Sequence, residues 1–432
     1  MKEDIFFKKK PEYFAISDPI INSLLDTDFY KLLMLQLIWK FYPNIKVTFS
    51  LINRQKKFYL SDKIDEYELR TQLDHARSLR ITKKERKWLT DNVFYGKKHI
   101  FESKFLEWLS NFQLPEYDLS HKQGQYILKF HGLWKDVTLW EIPSLIIIST
   151  LYSRANINSI SPSSIDLMYS QAKKKLCSKI VKLKDCFGLK IADFGTRRRH
   201  SLIWQKWCIE ALQEGLKDSF LGTSNAMLAM NYKINAIGTS AHELPMVSAA
   251  IASTDIDIQN APYQMMKKWN TLYDDNLLIA LSDSFGTDFF LANAPSWIAK
   301  WKGFRHDSAS PIEGGEKIIN WWEKMRCNPK NKLLVFSDSL DVNSIINIYK
   351  HFENRVQMIF GWGTNLTNDF DGCIPHKHSQ TGKLQIVCKV IRANNKHVVK
   401  LSDDPDKTTG NINEIKRYLK LFEMKKNKTF FL

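Results

Sequence analysis

The sequence has no closely spaced pair of cysteines. Cys177, Cys186, Cys208, Cys327, Cys373 and Cys388 stand apart along 432 residues, which argues against a disulfide framework and for reduced thiols. Nor is there a basic start followed by an apolar signal core, or a run that approaches a membrane span, so the chain is expected to be cytoplasmic, with no membrane partner. A glycine-rich loop closing on Lys-Ser or Lys-Thr is missing, so a nucleotide would have to be held by other means. His242-Glu243 lacks the second histidine of a zinc-protease helix, and Cys373, His376 and His378 lack a fourth ligand to close a zinc site. Asp193-Phe194-Gly195 lacks the catalytic-loop signature that would make it a kinase motif. Acidic residues are the scarcer charge: 46 Asp and Glu against 63 Lys and Arg leave a net charge of +17, which suits anionic partners. The lysines are nevertheless spread along the chain in short clusters such as Lys8-Lys9-Lys10 and Lys173-Lys174-Lys175. They read as a solvated surface, and no nucleic-acid partner is expected.

What is present is ordinary for a folded globular chain, with 44% hydrophobic and 25% charged residues. Its length allows two domains or one large barrel with additions. Asp26-Thr27-Asp28 opens a helix with Leu33, Leu37, Ile38 and Phe41 on one side and Tyr30 in its first turn. Val47, Phe49 and Leu51 alternate as a strand. Residues 63–112 read as three helices in which Trp88, Phe105 and Trp108 are core anchors. Strands follow at 126–130 and 137–141, then an apolar run at 145–148.

From about Ser161 short apolar strands alternate with helices, the pattern of βα units. The handover points are Asp193-Phe194-Gly195-Thr196-Arg197, Gly222-Thr223-Ser224-Asn225, Gly238-Thr239 with His242, Ser282-Asp283-Ser284, Arg305-His306-Asp307-Ser308, Ser337-Asp338-Ser339 and Gly361-Trp362-Gly363-Thr364. Strand after strand ends in small, polar or charged residues. An open doubly wound sheet would gather such groups at one switch point, whereas a barrel brings every strand end to one mouth. The expected fold is therefore α/β: a TIM-like, incomplete βα barrel over 156–370, packed on an N-terminal α+β domain over 1–155. Residues 371–432 return to that domain through strands at 384–391 and 398–401 and a helix at 412–422.

The stretch Ile237-Gly238-Thr239-Ser240-Ala241-His242-Glu243 leads from a strand at 234–237 into a helix, with His242 in its first turn. Free N–H groups and the helix dipole there favour a phosphate, and histidine is a competent nucleophile whose tautomer a carboxylate can fix. A capping histidine beside a surface glutamate is the alternative. Gly361 and Gly363 follow an apolar strand and would let backbone N–H groups approach a phosphate, or they mark a plain strand exit. Three arginines at 197–199 oppose the dipole at a helix start, which makes a bound anion the better reading. Asp283, Asp307 and Asp338 are candidates to bind Mg²⁺ through water, to bond ribose hydroxyls or to orient His242; a helix cap is the alternative for each, the better reading for Asp338 and the poorer one for Asp307 beside Arg305 and His306.

Six co-linear stretches closely resemble the nicotinate phosphoribosyltransferase family. They are Asp26-Thr27-Asp28-Phe29-Tyr30-Lys31, Asp193 to Arg199, Leu221 to Asn225, Gly238 to Glu243, Ser282 to Asp288, and Phe360 to Thr364. The resemblance runs from about Leu24 to Asp403. It implies a barrel packed on an N-terminal domain, a homodimer with sites at the interface, and a reaction of nicotinate with phosphoribosyl diphosphate that yields nicotinate mononucleotide and diphosphate. It also implies Mg²⁺ as cofactor and ATP as co-substrate. Carried over by position, His242 is the residue phosphorylated by ATP, Asp283 its orienting carboxylate, and Thr239 and Arg305 contact nicotinate. Tyr30 stacks on the pyridine from the other subunit, Arg197 holds the diphosphate, Asp307 the ribose hydroxyls, and Thr364 with Gly361 and Gly363 the 5-phosphate. Ser224 and Asn225 stand where nicotinamide-using relatives carry an aspartate, so the base pocket should present donors and no facing acid. The metal ligands stay unassigned.

The chain departs from the family at Arg305-His306-Asp307-Ser308-Ala309-Ser310-Pro311, where glycine and aspartate are usual in place of Ala309 and Ser310. A decayed, nucleotide-binding relative is therefore one alternative, and a basic nucleic-acid-binding protein, resting on charge alone, is another.

Overall fold

The computed structural model describes residues 18–55, 58–158, 160–308, 310–373 and 384–423. Ala309, His376, His378 and the Lys8-Lys9-Lys10 cluster lie outside them. Period-two alternation puts Val47, Phe49 and Leu51 on the buried face of strand Lys46–Asn53 (β1). Strands Tyr117–Lys122 (β2) and Gln125–Leu133 (β3) form a hairpin on one edge of β1. Its other edge pairs antiparallel with a strand from the far end of the chain, as the register Val47–Ala393 to Asn53–Ile386 records.

The second sheet consists of seven short parallel strands: Ile191–Asp193 (β4), Phe220–Thr223 (β5), Asn235–Ala236 (β6), Ile279–Leu281 (β7), Gly303–His306 (β8), Leu333–Phe336 (β9) and Gln357–Trp362 (β10). Their order is β6-β5-β4-β10-β9-β8-β7, which is chain order taken around a circle, as in a barrel. Among the described residues β6 and β7 do not pair, so the barrel is incomplete there. Ile386–Ala393 (β11) and Lys396–His397 (β12) complete the antiparallel sheet in the order β12-β11-β1-β3-β2.

Helix Phe29–Phe41 links the two sheets. Its first ten residues are buried, and it docks on the end of β5 through Phe29 N–H to the Ser224 carbonyl at 2.6 Å. Among the described residues no helix is long and apolar enough to cross a membrane.

Four local expectations change. Residues 137–141 are helical, not a strand, and lead into helix Glu141–Asn158. Every side chain from Ile142 to Ser153 there is buried, and all-round burial erases the 3.6-residue period that would have marked a helix. The hairpin strand β2 is an addition to the expected elements: its sequence YDLSHK buries one position in six and so shows no period-two pattern. Of 398–401 only Lys400 pairs, in an isolated bridge with Thr409. His242 stands immediately before helix Glu243–Ile251 and not within its first turn, and its side chain makes no capping bond.

Candidate active site

The carboxyl ends of the barrel strands face the antiparallel sheet across a cavity of about 490 Å³, and a smaller one of about 100 Å³ continues into the barrel. Tyr30, Phe194, Arg197, Arg305, Asp307 and Gly363 line both. Thr239 and Ser224 line only the inner cavity, His242 and Thr364 only the outer one. The barrel thus brings together most of the residues singled out in the sequence, in two connected compartments.

His242 is the best-held of them. Its Nδ1 lies 2.9 Å from Ser284 Oγ and its Nε2 3.2 Å from an Asp307 carboxylate oxygen. Asp283 is fully buried, 3.5 Å from Nε2 and 3.8 Å from Lys400 Nζ. Burial pushes the imidazole down to about 4, outweighing the pull of Asp283 and Asp307 in the other direction, so the ring is neutral at neutral pH. Burial works against ionisation of Asp283, yet His242 and Lys400 hold it below the usual carboxylate range. Asp307 is held well below that range: burial opposes, and Arg305 and the His242 hydrogen bond prevail. With Nε2–H directed at a carboxylate, Nδ1 keeps the lone pair and accepts from Ser284.

Glu243 does not orient the histidine. Successive helical residues point to different faces, and its carboxylate accepts from Trp134 Nε1 and Thr138 Oγ1, both at 2.6 Å, and pairs with buried Lys31 at 2.5 Å. It ties the His242 helix to the N-terminal part of the chain.

The three arginines divide. Arg197 reaches the cavities, 3.8 Å from Asp28 and 3.7 Å from Glu141. Arg198 lines the outer cavity, where burial and Arg197 hold it down to about 10. Arg199 turns inward and grips Asp26 with two bonds of 2.7 and 2.6 Å. Asp193 is likewise structural, accepting from Gly195 N, Gln205 Nε2 and Thr223 Oγ1 at 2.7–2.8 Å.

The remaining placements refine the sequence reading. Tyr30 enters from its own chain, where the other subunit had been expected. Asn225 does not line the inner cavity and bonds Asp26 at 2.7 Å. An acid does face the inner cavity: Asp28 lines it and accepts from Ser224 Oγ at 2.6 Å. Burial pushes the Asp28 carboxyl up, against Arg197 and Ser224. Gly361 is not at either wall; a Cβ there would come within 2.2 Å of the Phe194 ring, which fills that side. Asp338 caps no helix and instead pairs with Lys407 at 2.6 Å, while Asp341 caps Val342–Phe352. Ser310 caps helix Pro311–Lys324, accepting from Glu313 N.

Sequence reasoning missed the cationic side opposite the barrel. Lys389 on β11, Lys400, Lys407 and Arg54 all line the outer cavity. Burial pulls Lys400 down, against Asp283, and Lys389 well down, helped by Lys400 and Arg54. Cations so destabilised favour an anion between them. A lysine alone within Val398-Val399-Lys400-Leu401 was the available signal. Phe194, which lines both cavities, carries no signal of its own within Asp193-Phe194-Gly195.

Comparison with known proteins gives matches along most of the chain. Residues 189–426 match the model of the nicotinate phosphoribosyltransferase (NAPRTase) family, and residues 25–149 match its N-terminal domain. The nicotinate phosphoribosyltransferase of Porphyromonas gingivalis superposes with a TM-score of 0.84 at 30% identity, over 94% of this chain and 100% of that one. The enzyme from Vibrio cholerae gives 0.83 at 28% identity, over 95% and 96%. A putative nicotinate phosphoribosyltransferase from Saccharomyces cerevisiae gives 0.81 at 30%, over 95% and 100%.

Proposed function

This chain belongs to the nicotinate phosphoribosyltransferase family and has that transferase function in NAD biosynthesis; on that premise we propose that it couples formation of nicotinate mononucleotide to ATP hydrolysis through a phosphohistidine at His242. The observation that carries the proposal is a neutral imidazole at a helix N-terminus in the cavity wall, with Nε2 turned to Asp307 and Nδ1 facing only a hydroxyl. Attack on a γ-phosphate requires a neutral ring nitrogen with a free lone pair, which Nδ1 offers once the Ser284 hydroxyl turns away from it.

In this reading the pyridine occupies the inner cavity, between the flat faces of Tyr30 and Phe194 and beside Thr239 and Arg305. Ser224 engages Asp28, and Arg197 supplies the opposing charge, so a nicotinate carboxylate is not left facing an uncompensated acid. Arg197 with the lysines of the outer cavity takes the diphosphate, Gly363 and Thr364 the 5-phosphate, and Asp307 the ribose hydroxyls. Gly361 acts one step back, by leaving room for Phe194. As the C–N bond forms, positive charge develops on the ribosyl carbon and negative charge on the departing diphosphate, which the arginines and lysines stabilise. Among the described residues no group of three or more His, Cys, Asp or Glu gathers to cage a metal. Mg²⁺ binds one or two carboxylates together with substrate phosphates, and Asp307 and Asp338, which line the outer cavity, are the carboxylates that would hold it. When bound, the ion would neutralise the leaving diphosphate. We further propose a homodimer.

Incubation with nicotinate, phosphoribosyl diphosphate, Mg²⁺ and γ-labelled ATP should yield nicotinate mononucleotide and an acid-labile, base-stable label on the protein. The rate of labelling should be nearly level from about pH 7 to pH 5 and fall only as pH approaches about 4, where the ring takes up its proton. An unperturbed histidine would already lose roughly thirtyfold of its neutral form at pH 5. Turnover without labelled protein would sink the phosphohistidine and leave the transferase standing. For the base site, Tyr30→Ala should raise the nicotinate KM by an amount equivalent to about 1–3 kcal/mol of stacking. An unchanged KM would remove Tyr30 from the pocket.

A further inference from the structure

The inner cavity has a wall contributed from outside the barrel, by the turn Phe94-Tyr95-Gly96-Lys97. Phe94 and Lys97 bond each other's backbones at 2.8 and 2.9 Å, leaving Tyr95 and Gly96 as the central residues, with φ of 54° and 84°. A two-residue turn of this kind favours glycine, asparagine or aspartate, and an aromatic residue there is strained. Such strain persists where surrounding contacts over-determine it, often for function. Two contacts do so here. Phe94 stacks on Phe29 with centroids 4.8 Å apart. The Tyr95 hydroxyl donates to the Gly238 carbonyl and accepts from the Gly238 N–H, both at 2.6 Å.

Gly238 needs such a clamp. Its φ is +155°, and a Cβ would lie 3.0 Å from both the backbone N and the Cβ of Tyr30. The peptide is thus held between Tyr30 and the Tyr95 hydroxyl, and its neighbours Ile237 and Thr239 line the inner cavity. Tyr95 also lines a separate surface recess of about 200 Å³, beside Lys97, Ile100 and Tyr273. One side chain therefore both fixes the strand exit and divides the inner cavity from open space behind it.

We infer that Tyr95 is a positioning and specificity-limiting residue: it sets Thr239 against the base and forms the partition that restricts the pocket to a single ring. The inference rests on the reading that the inner cavity holds the pyridine. Tyr95→Phe keeps the partition and removes both hydrogen bonds. It should raise the nicotinate KM about tenfold, as expected for two modest hydrogen bonds, with kcat and the phosphoribosyl diphosphate KM within about twofold, a split that general loosening would not give. Tyr95→Ala opens the partition and should raise kcat/KM for the bicyclic quinoline-3-carboxylate, relative to nicotinate, at least about tenfold over the native enzyme, given the specificity a single pocket wall provides. A native-like nicotinate KM in Tyr95→Phe overturns the positioning role, and unchanged base selectivity in Tyr95→Ala overturns the partition. Thr239→Val separates this from the underlying reading. If its nicotinate KM is also unchanged, the base does not bind in the inner cavity and both fall; if its KM rises while Tyr95→Phe stays native, only the role of Tyr95 is lost.

Discussion

His242→Ala is expected to abolish both labelling by γ-labelled ATP and turnover-dependent ATP hydrolysis, while slow, ATP-independent formation of nicotinate mononucleotide survives. The two effects separate because the residues proposed to align the substrates lie elsewhere. Tyr30, Phe194 and Thr239 line the inner cavity, and Arg197, Gly363 and Thr364 remain at its mouth, so the gain from holding base and ribosyl centre together is kept. What goes is the one neutral nucleophile whose ring nitrogens are sorted by Asp307 and Ser284. Ser284→Ala gives a graded comparison. It removes only the hydroxyl 2.9 Å from Nδ1, so labelling should persist. Equal labelling of native enzyme and His242→Ala would place the phosphorylation elsewhere.

The barrel was legible because each βα handover is short and local. Asp193, Ser224, Asp283, Arg305 and Gly363 declare the strand ends without reference to distant residues. Long-range partners were not legible in the same way. β11 pairs with β1 across more than three hundred residues, and that pairing is what carries Lys389 to the face of the barrel mouth. Adjacency in sequence was a poor guide as well. Glu243 stands beside His242 in sequence but turns to Lys31, and Asp283, expected to orient the histidine, is 3.5 Å from Nε2; the hydrogen-bonding carboxylate is Asp307, 65 positions away. Arg197, Arg198 and Arg199 looked like one anion site, yet the backbone changes direction through the short 3₁₀ turn Thr196–Arg198 and sends the third inward. Burial follows from such turns, and a run of like charges cannot announce which member will be buried.

That third arginine leads to the largest expected effect on stability. Arg199 and Asp26 are both fully buried, joined by two parallel bonds of 2.7 and 2.6 Å. Gln205 accepts a further bond from Arg199 at 3.2 Å, and Asn225 donates to Asp26 at 2.7 Å. Ser149 reaches the Arg199 carbonyl at 3.2 Å. One ion pair therefore joins the segment before the first helix, helix Glu141–Asn158, the exit of β4 and the exit of β5. Removing one partner strands the other's charge where water cannot reach it, a loss of about 3–5 kcal/mol. Against a total stability of about 5–15 kcal/mol for a typical domain, that is a large fraction. Asp26→Ala should accordingly lower the urea midpoint of unfolding sharply, while Asp26→Asn, which keeps the shape and one acceptor, should fall between it and the native protein. Arg199→Met together with Asp26→Leu should recover part of the loss, because the stranded charge is then absent and only the hydrogen bonds are missing. If the single and double variants unfold at the same urea concentration, the penalty does not come from an unpaired buried charge, and the pair is not what fastens the N-terminal part to the barrel.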